Sequence, residues 1–155
     1  MLSLVPVLAL LGLAVASPFD KAVALSECLS AAKVPTDAAD SEDYKLDVSP
    51  YNLRLVYKPI SIVAPTTAKH VQDAVACAAK LGVKTNPKCG GHSYGSFGLG
   101  GEDGHLVIEL DRYNEVVYDN ATGVARVQGG ARLGHVASEI WKQGQRAISH
   151  GTCPG

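Results

Sequence analysis

An α+β fold is predicted for this chain, and three features of the sequence predict it. Residues 61–87 run from a short apolar segment through a helix-patterned one to a second strand-like one, a compact strand–helix–strand unit. Residues 116–130 read as two strand segments joined by hairpin turn chemistry. Amphipathic helical segments lie outside both units. A mixed sheet is expected rather than a regular doubly wound one.

The elements follow in order. "MLSLVPVLALLGLAVA", residues 1–16, is apolar, carries no charged side chain and ends in Ala14-Val15-Ala16, a small-x-small cleavage pattern. It is too short to span a bilayer comfortably, so it reads as a secretory leader. Residues 19–33 are expected to form a short amphipathic helix with Phe19, Val23 and Leu29 among its apolar positions, stopped by Pro35. "TDAADSEDYKLDVSPYN" reads as an acidic connector without apolar period. "SIVAP", 61–65, is a buried strand closed by proline. Thr66 or Thr67 caps a helix through Leu81, with Val71, Val75 and Ala78 on one face and Gly82 as its stop. "VKTNP", 83–87, resumes as a strand and feeds the glycine-rich loop "CGGHSYGSFGLGGEDG". "HLVIEL", 105–110, is another strand, and the hairpin turns at Asn120 to Gly123. Residues 131–144 form a helix with Leu133, Val136, Ile140 and Trp141 inward, and "AISHG" begins a last strand or loop.

The chain has 155 residues, enough for one domain with a sizeable core. Its 14 basic and 15 acidic residues argue against an electrostatic nucleic-acid binder. No like-charge run suggests a polybasic membrane patch, and no segment beyond the leader is apolar for long enough to span a membrane. Sixteen glycines cluster between Gly90 and Gly104 and again from Gly123 to Gly134, where backbone must turn tightly or approach something closely. Secretion permits disulfides, and the four cysteines allow three full pairings. Cys28 and Cys77 share alanine-rich helical settings and make the natural structural pair, leaving Cys89 and Cys153 in glycine-rich loops. Asn120-Ala121-Thr122 is a glycosylation sequon that fits the secretory route.

The glycine loop matches neither a Walker motif nor the dinucleotide Gly-x-Gly-x-x-Gly fingerprint. It does follow a strand directly, and successive backbone amides without side chains can form an anion nest. A simple surface turn is the competing reading. His92 lies in this loop between residues that permit close approach of a ligand. Cys89-x-x-His92 and His150-x-x-Cys153 together offer a mirrored Cys₂His₂ set. The strands and helix between the two halves, and a chain large enough for its own core, argue against zinc.

The stretch "NLRLVYKPISIVAPTTAKHVQDAVACAAKLGVKTNPKCGGHSYGSFGLGG", then "HLVIEL", "ARVQGGARLGHV" and "ISHGTCPG", resembles the berberine-bridge-enzyme-like flavoproteins of the vanillyl-alcohol-oxidase superfamily. Its loops are most like those of the fungal glucooligosaccharide and chitooligosaccharide oxidases. The resemblance implies a p-cresol-methylhydroxylase-type FAD-binding domain over 52–155, after the leader at 1–16 and a helical segment and connector at 17–51. It implies a flavin bound twice, through His92 to the 8α-methyl carbon and through Cys153 to ring carbon C6. Lys88, Cys89, Gly90, Gly91, His92 and Ser93 are implied to lie along the FAD pyrophosphate, with Gly129, Gly130, Gly151 and Thr152 against the flavin. The Cys28–Cys77 pair matches the family's disulfide, and Cys89 has no implied role. The implied activity is oxidation of an oligosaccharide's reducing-end C1 hydroxyl to a lactone, with oxygen as acceptor, by a secreted protein. An alkaloid, polyketide or alcohol is the alternative substrate, and a non-catalytic metal-binding domain the alternative class. Family members continue well past this point, so the chain is expected to be a fragment, without the catalytic base.

Overall fold

The computed structural model describes residues 17–153; the leader at 1–16 and the last two residues, Pro154 and Gly155, lie outside the described residues. Helix α1 (Pro18–Ala31) starts with a capping box. The Ser17 hydroxyl accepts from the Asp20 amide and the Asp20 carboxylate accepts from the Ser17 amide, both at 3.2 Å. Helix α2 (Glu42–Asp47) is capped by the Ser41 hydroxyl. Strand β1 (Ser61–Val63) leads to α3 (Ala68–Leu81), which Thr67 caps and Gly82 ends in the left-handed region at φ 61°. Strand β2 (Thr85–Lys88) precedes a 3-10 turn at Phe97–Leu99 and strand β3 (Leu106–Glu109). Strands β4 (Val116–Asp119) and β5 (Val124–Val127) form the hairpin, and α4 (Leu133–Gly144) follows.

The strands form two separate sheets, not one mixed sheet. The first is wholly parallel in the order β1-β3-β2. Strand β3 thus inserts between the two strands of the strand–helix–strand unit. It is buried along its whole length, which is why its sequence shows no polar alternation. Pro87, which has no amide to donate, lies on the edge strand β2. The second sheet is the antiparallel hairpin, registered Val116↔Val127.

The parallel sheet buries both faces. Val63, Leu106 and Ile108 pack on Leu25, Leu29, Ala74 and Ala78 of α1 and α3. Ile62 and Val107 turn to the other face with Leu99, against Tyr44, Val48 and Tyr57. A Cys28–Cys77 disulfide joins α1 to α3. A third cluster of Val116, Val136 and Ile140 holds α4 to the hairpin. The sequon amide of Asn120 donates to the Gln143 carbonyl at 3.0 Å, fastening the turn to the end of α4.

Not every apolar position of the helices is buried. Phe19 and Val23 are exposed while Leu25 and Leu29, one turn apart, form the buried stripe of α1. In α3 the buried arc runs through Ala74, Cys77 and Ala78, leaving Val75 exposed. In α4 Val136 and Ile140 are buried, whereas Trp141 is 61% exposed because the next residue on a helix turns about 100° away. Leu133, also exposed, stands in the first turn of α4. The acidic connector holds helix α2 because Ser41 caps it and Arg112 bonds Asp43 at 2.7 Å. "AISHG" is a loop rather than a strand.

No helix among the described residues is long and apolar enough to cross a membrane.

Candidate cofactor-binding site

Strand β2 ends at Lys88 and releases the glycine loop at the edge of the sheet. Gly91 takes φ +67°, a left-handed turn that an L side chain strains to adopt. The loop closes on itself where the Ser96 amide donates to the Ser93 carbonyl at 3.0 Å and the Phe97 amide to the Ser93 hydroxyl at 3.2 Å. The Asn86 side-chain amide donates to the Phe97 carbonyl and ties the returning arm to β2.

Three segments then meet around a cavity of about 370 Å³. The loop contributes Cys89, Gly90 and His92, the start of α4 Ala131, Arg132 and Leu133, and the terminal segment Gly151, Thr152 and Cys153. Two further hollows share Gly90 and His92 as walls. One of about 410 Å³ lies toward Asp47, Pro50 and Tyr51 and also touches Lys88, Gly91 and Arg132. The other, about 300 Å³, lies toward Lys88, Ser93 and Phe97. His92 and Cys153 therefore open onto one space, with Cys89, a second free thiol, beside them.

The close approach at Gly90 has a definite cause. A Cβ there would stand 2.7 Å from Nη1 of Arg132, so the missing side chain is what lets the guanidinium lie across the loop. Among the described residues the Arg132 guanidinium makes no hydrogen bond or ion pair, leaving a half-buried cation that lines two of the hollows. The His92 ring nitrogens also have no hydrogen-bond partner among the described residues. The imidazole instead stacks on Tyr51, with ring centroids 5.4 Å apart and planes 26° from parallel.

Beneath the loop, Lys88 is almost wholly buried and pairs with Glu109 of β3 and, at 3.7 Å, with Asp47 of α2. One ammonium between two carboxylates cannot fully compensate both. Burial, then the neighbouring Glu109 charge, pushes the Asp47 carboxyl up to about 7, against the pull of Lys88. Burial also raises Glu109, which keeps one carboxylate oxygen without a partner.

Gly129 and Gly130 line none of these hollows. Gly130 is packed where a Cβ would fall 1.5 Å from the Leu110 carbonyl oxygen, and its amide donates to Tyr113 at 2.9 Å. It seats the strand that leads into Arg132. His150 is not among the residues lining the cavity and donates from Nδ1 to the Gly151 carbonyl at 2.6 Å, so the mirrored Cys₂His₂ set is not assembled among the described residues. Among the described residues no group of three or more His, Cys, Asp or Glu is placed to hold a metal ion.

Arg132, Tyr51 and Asp47 were not legible as site residues from the sequence, because none stands in a recognisable motif. Glu109 carried a signal, as the one charge inside the apolar run "HLVIEL". The whole arrangement fits a flavin dinucleotide. It combines an open trough, two nucleophilic side chains on separate segments of its lining, glycines that bring backbone to the surface, and an uncompensated arginine for an anion.

Comparison with known proteins agrees with that fit. A xylooligosaccharide oxidase of Thermothelomyces thermophilus is 58% identical over 142 residues, covering 92% of this chain and 29% of that protein. A chitooligosaccharide oxidase of Gibberella zeae is 56% identical, covering 87% and 27%. A solved glucooligosaccharide oxidase of Acremonium strictum, described with 6-S-cysteinyl, 8α-N1-histidyl FAD, superposes with a TM-score of 0.80 at 48% identity, over 84% of this chain and 27% of that one. The chain thus spans less than a third of the length of these relatives. Residues 59–154 match the FAD binding domain family over the β1–α3–β2 unit, the glycine loop and the segment ending at Cys153, and the chain belongs to that family.

Proposed function

We propose that this chain is the flavin-anchoring portion of a secreted FAD-dependent oligosaccharide oxidase, which oxidises the reducing-end C1 hydroxyl to a lactone with oxygen as acceptor. The observation that carries the proposal is the convergence of His92 and Cys153 on one cavity. The Acremonium strictum relative has a histidyl and a cysteinyl link to its flavin, and this chain holds one residue of each type at that cavity.

When bound, the flavin supplies two-electron oxidation of an alcohol carbon. The chain's own residues hold and shield it. His92 and Cys153 fix two points of the ring, so the ring stays in place in a trough open enough to admit a sugar chain. Backbone amides of Lys88 to Ser93 would hold the pyrophosphate, and Arg132 would supply the compensating charge across Gly90. Leu133, Gly151 and Thr152 would form the wall against the ring. No catalytic base is assigned to this chain. The leader pattern at residues 1–16 and the Cys28–Cys77 disulfide support secretion.

The test is acid precipitation of the intact protein followed by peptide mass analysis. Yellow colour in the pellet and flavin mass on the peptides holding His92 and Cys153 are expected, with hydrogen peroxide released on adding xylo-, chito- or gluco-oligosaccharides. Flavin free in the supernatant overturns the double attachment, and a flavin-loaded protein that leaves all reducing ends intact overturns the substrate class.

A further inference from the structure

His92 is exposed, and no hydrogen bond among the described residues orients its ring. An imidazole attached only through its own rotors samples a broad range about the terminal torsion. An aromatic contact restrains it, the stack on Tyr51 at 5.4 Å. Tyr51 is itself held. Its ring meets Tyr94 edge-on, with centroids 5.5 Å apart and planes at 67°. The next residue, Asn52, donates from Nδ2 to the Tyr94 carbonyl at 2.9 Å, bolting the turn before β1 to the glycine loop. Tyr51 nevertheless remains 56% exposed, so its ring adds little to the core.

We propose that Tyr51 is the positioning residue for flavin attachment at His92, holding the imidazole plane so that a ring nitrogen faces the trough. The inference rests on the reading of His92 as an anchor. In the attachment a C–N bond forms between the imidazole nitrogen and the 8α carbon. One methyl C–H and one imidazole N–H are lost. The two electrons remain on the ring system, and dioxygen then removes them with two protons to give hydrogen peroxide. Tyr51 takes no part in these bonds; it raises the fraction of encounters in which the nitrogen is already aimed.

The experiment uses the intact protein with Cys153→Ala, so that only the His92 link is counted, produced without flavin and then given FAD. Acid-stable absorbance and the mass of the His92 peptide follow attachment over time. Tyr51→Ala is expected to slow attachment about 3- to 10-fold, the range one aromatic contact supports, with an unchanged melting temperature. Tyr51→Phe, which keeps the ring and loses the hydroxyl, is expected to attach at the parental rate. Parental kinetics in Tyr51→Ala overturn the inference, as does a Tyr51→Phe as slow as the alanine variant. Absence of flavin from His92 in the parent is a different result, which overturns the anchor reading and the inference with it.

Discussion

Lys88→Met tests the buried charge cluster under the glycine loop. The lysine side chain is 10% exposed, Glu109 1% and Asp47 16%, so the substitution leaves two carboxyls in a dry setting without their cation. Removing one partner of a buried pair costs about 3–5 kcal/mol. At a urea dependence of about 2 kcal/mol per molar, the unfolding midpoint falls by about 2 M at pH 8. The pH dependence has a definite sign. Asp47 and Glu109 both hold protons more tightly folded than unfolded, Asp47 with its carboxyl raised from 3.8 to about 7. The Asp47 contribution is complete below the unfolded carboxylate range, about 4, and is lost as pH rises through about 7; Glu109 acts in the same direction. Lys88→Met therefore regains stability at pH 5, where the carboxyls take protons in place of the ammonium. Lys88→Met with Glu109→Met, which replaces the pair by apolar groups, is expected to recover most of the loss even at pH 8. Urea unfolding of the intact protein at the two pH values measures all three. A single variant as stable as the parent at pH 8, or equally weakened at pH 5, refutes the reasoning.

Gly130→Ala drives a methyl into the Leu110 carbonyl oxygen at 1.5 Å, and a loss of about 3 kcal/mol or more is expected as reduced soluble yield and melting temperature. Gly91→Ala forces an L residue to φ +67° with its Cβ 3.1 Å from Lys88 Cε, costing about 1–2 kcal/mol and lowering acid-stable flavin per protein. Cys28→Ser with Cys77→Ser opens a loop of 49 residues and costs about 4 kcal/mol on the chain-entropy account, a shift that reductant reproduces in the parent melt. Arg132→Gln removes the unpaired cation, so the FAD concentration giving half-maximal loading rises about tenfold and depends less on salt.

How much of this was legible differs by element. Helix α3 is written in local chemistry: Thr67 starts it and Gly82 can end it in the left-handed region. The hairpin is equally local. Helix α2 is not, since its six residues carry no apolar period and the Arg112–Asp43 bond that holds it comes from a distant segment. Periodicity revealed that α1 and α4 have an apolar face but left its phase open. The phase is decided by partners, the sheet and Cys77 for α1 and the hairpin for α4. Strand order was equally hidden, because β3, distant in sequence, enters between β1 and β2. At the site, the motif resemblance named His92 and Cys153, whereas Arg132 and Tyr51 owe their places to packing between separate segments.

The buried charges and the cavity belong to one device. Lys88 and Glu109 are direct partners across the parallel β2–β3 ladder. A slip of one residue would set Ile108 or Leu110 opposite Lys88 and bury both charges apart, so the pair specifies the register in addition to any stability it adds. That register fixes where the glycine loop leaves β2 relative to the end of β3. Leu110, the residue after β3, donates its amide to the Lys88 carbonyl at 2.8 Å, and its own carbonyl is the surface on which Gly130 sits. Gly130 in turn sets the start of α4, and with it the reach of Arg132 to Gly90. One cross-strand ion pair thereby aligns the wall that carries His92 with the wall that carries Arg132. On this account a register error at Lys88–Glu109 separates the two walls even if every helix still forms.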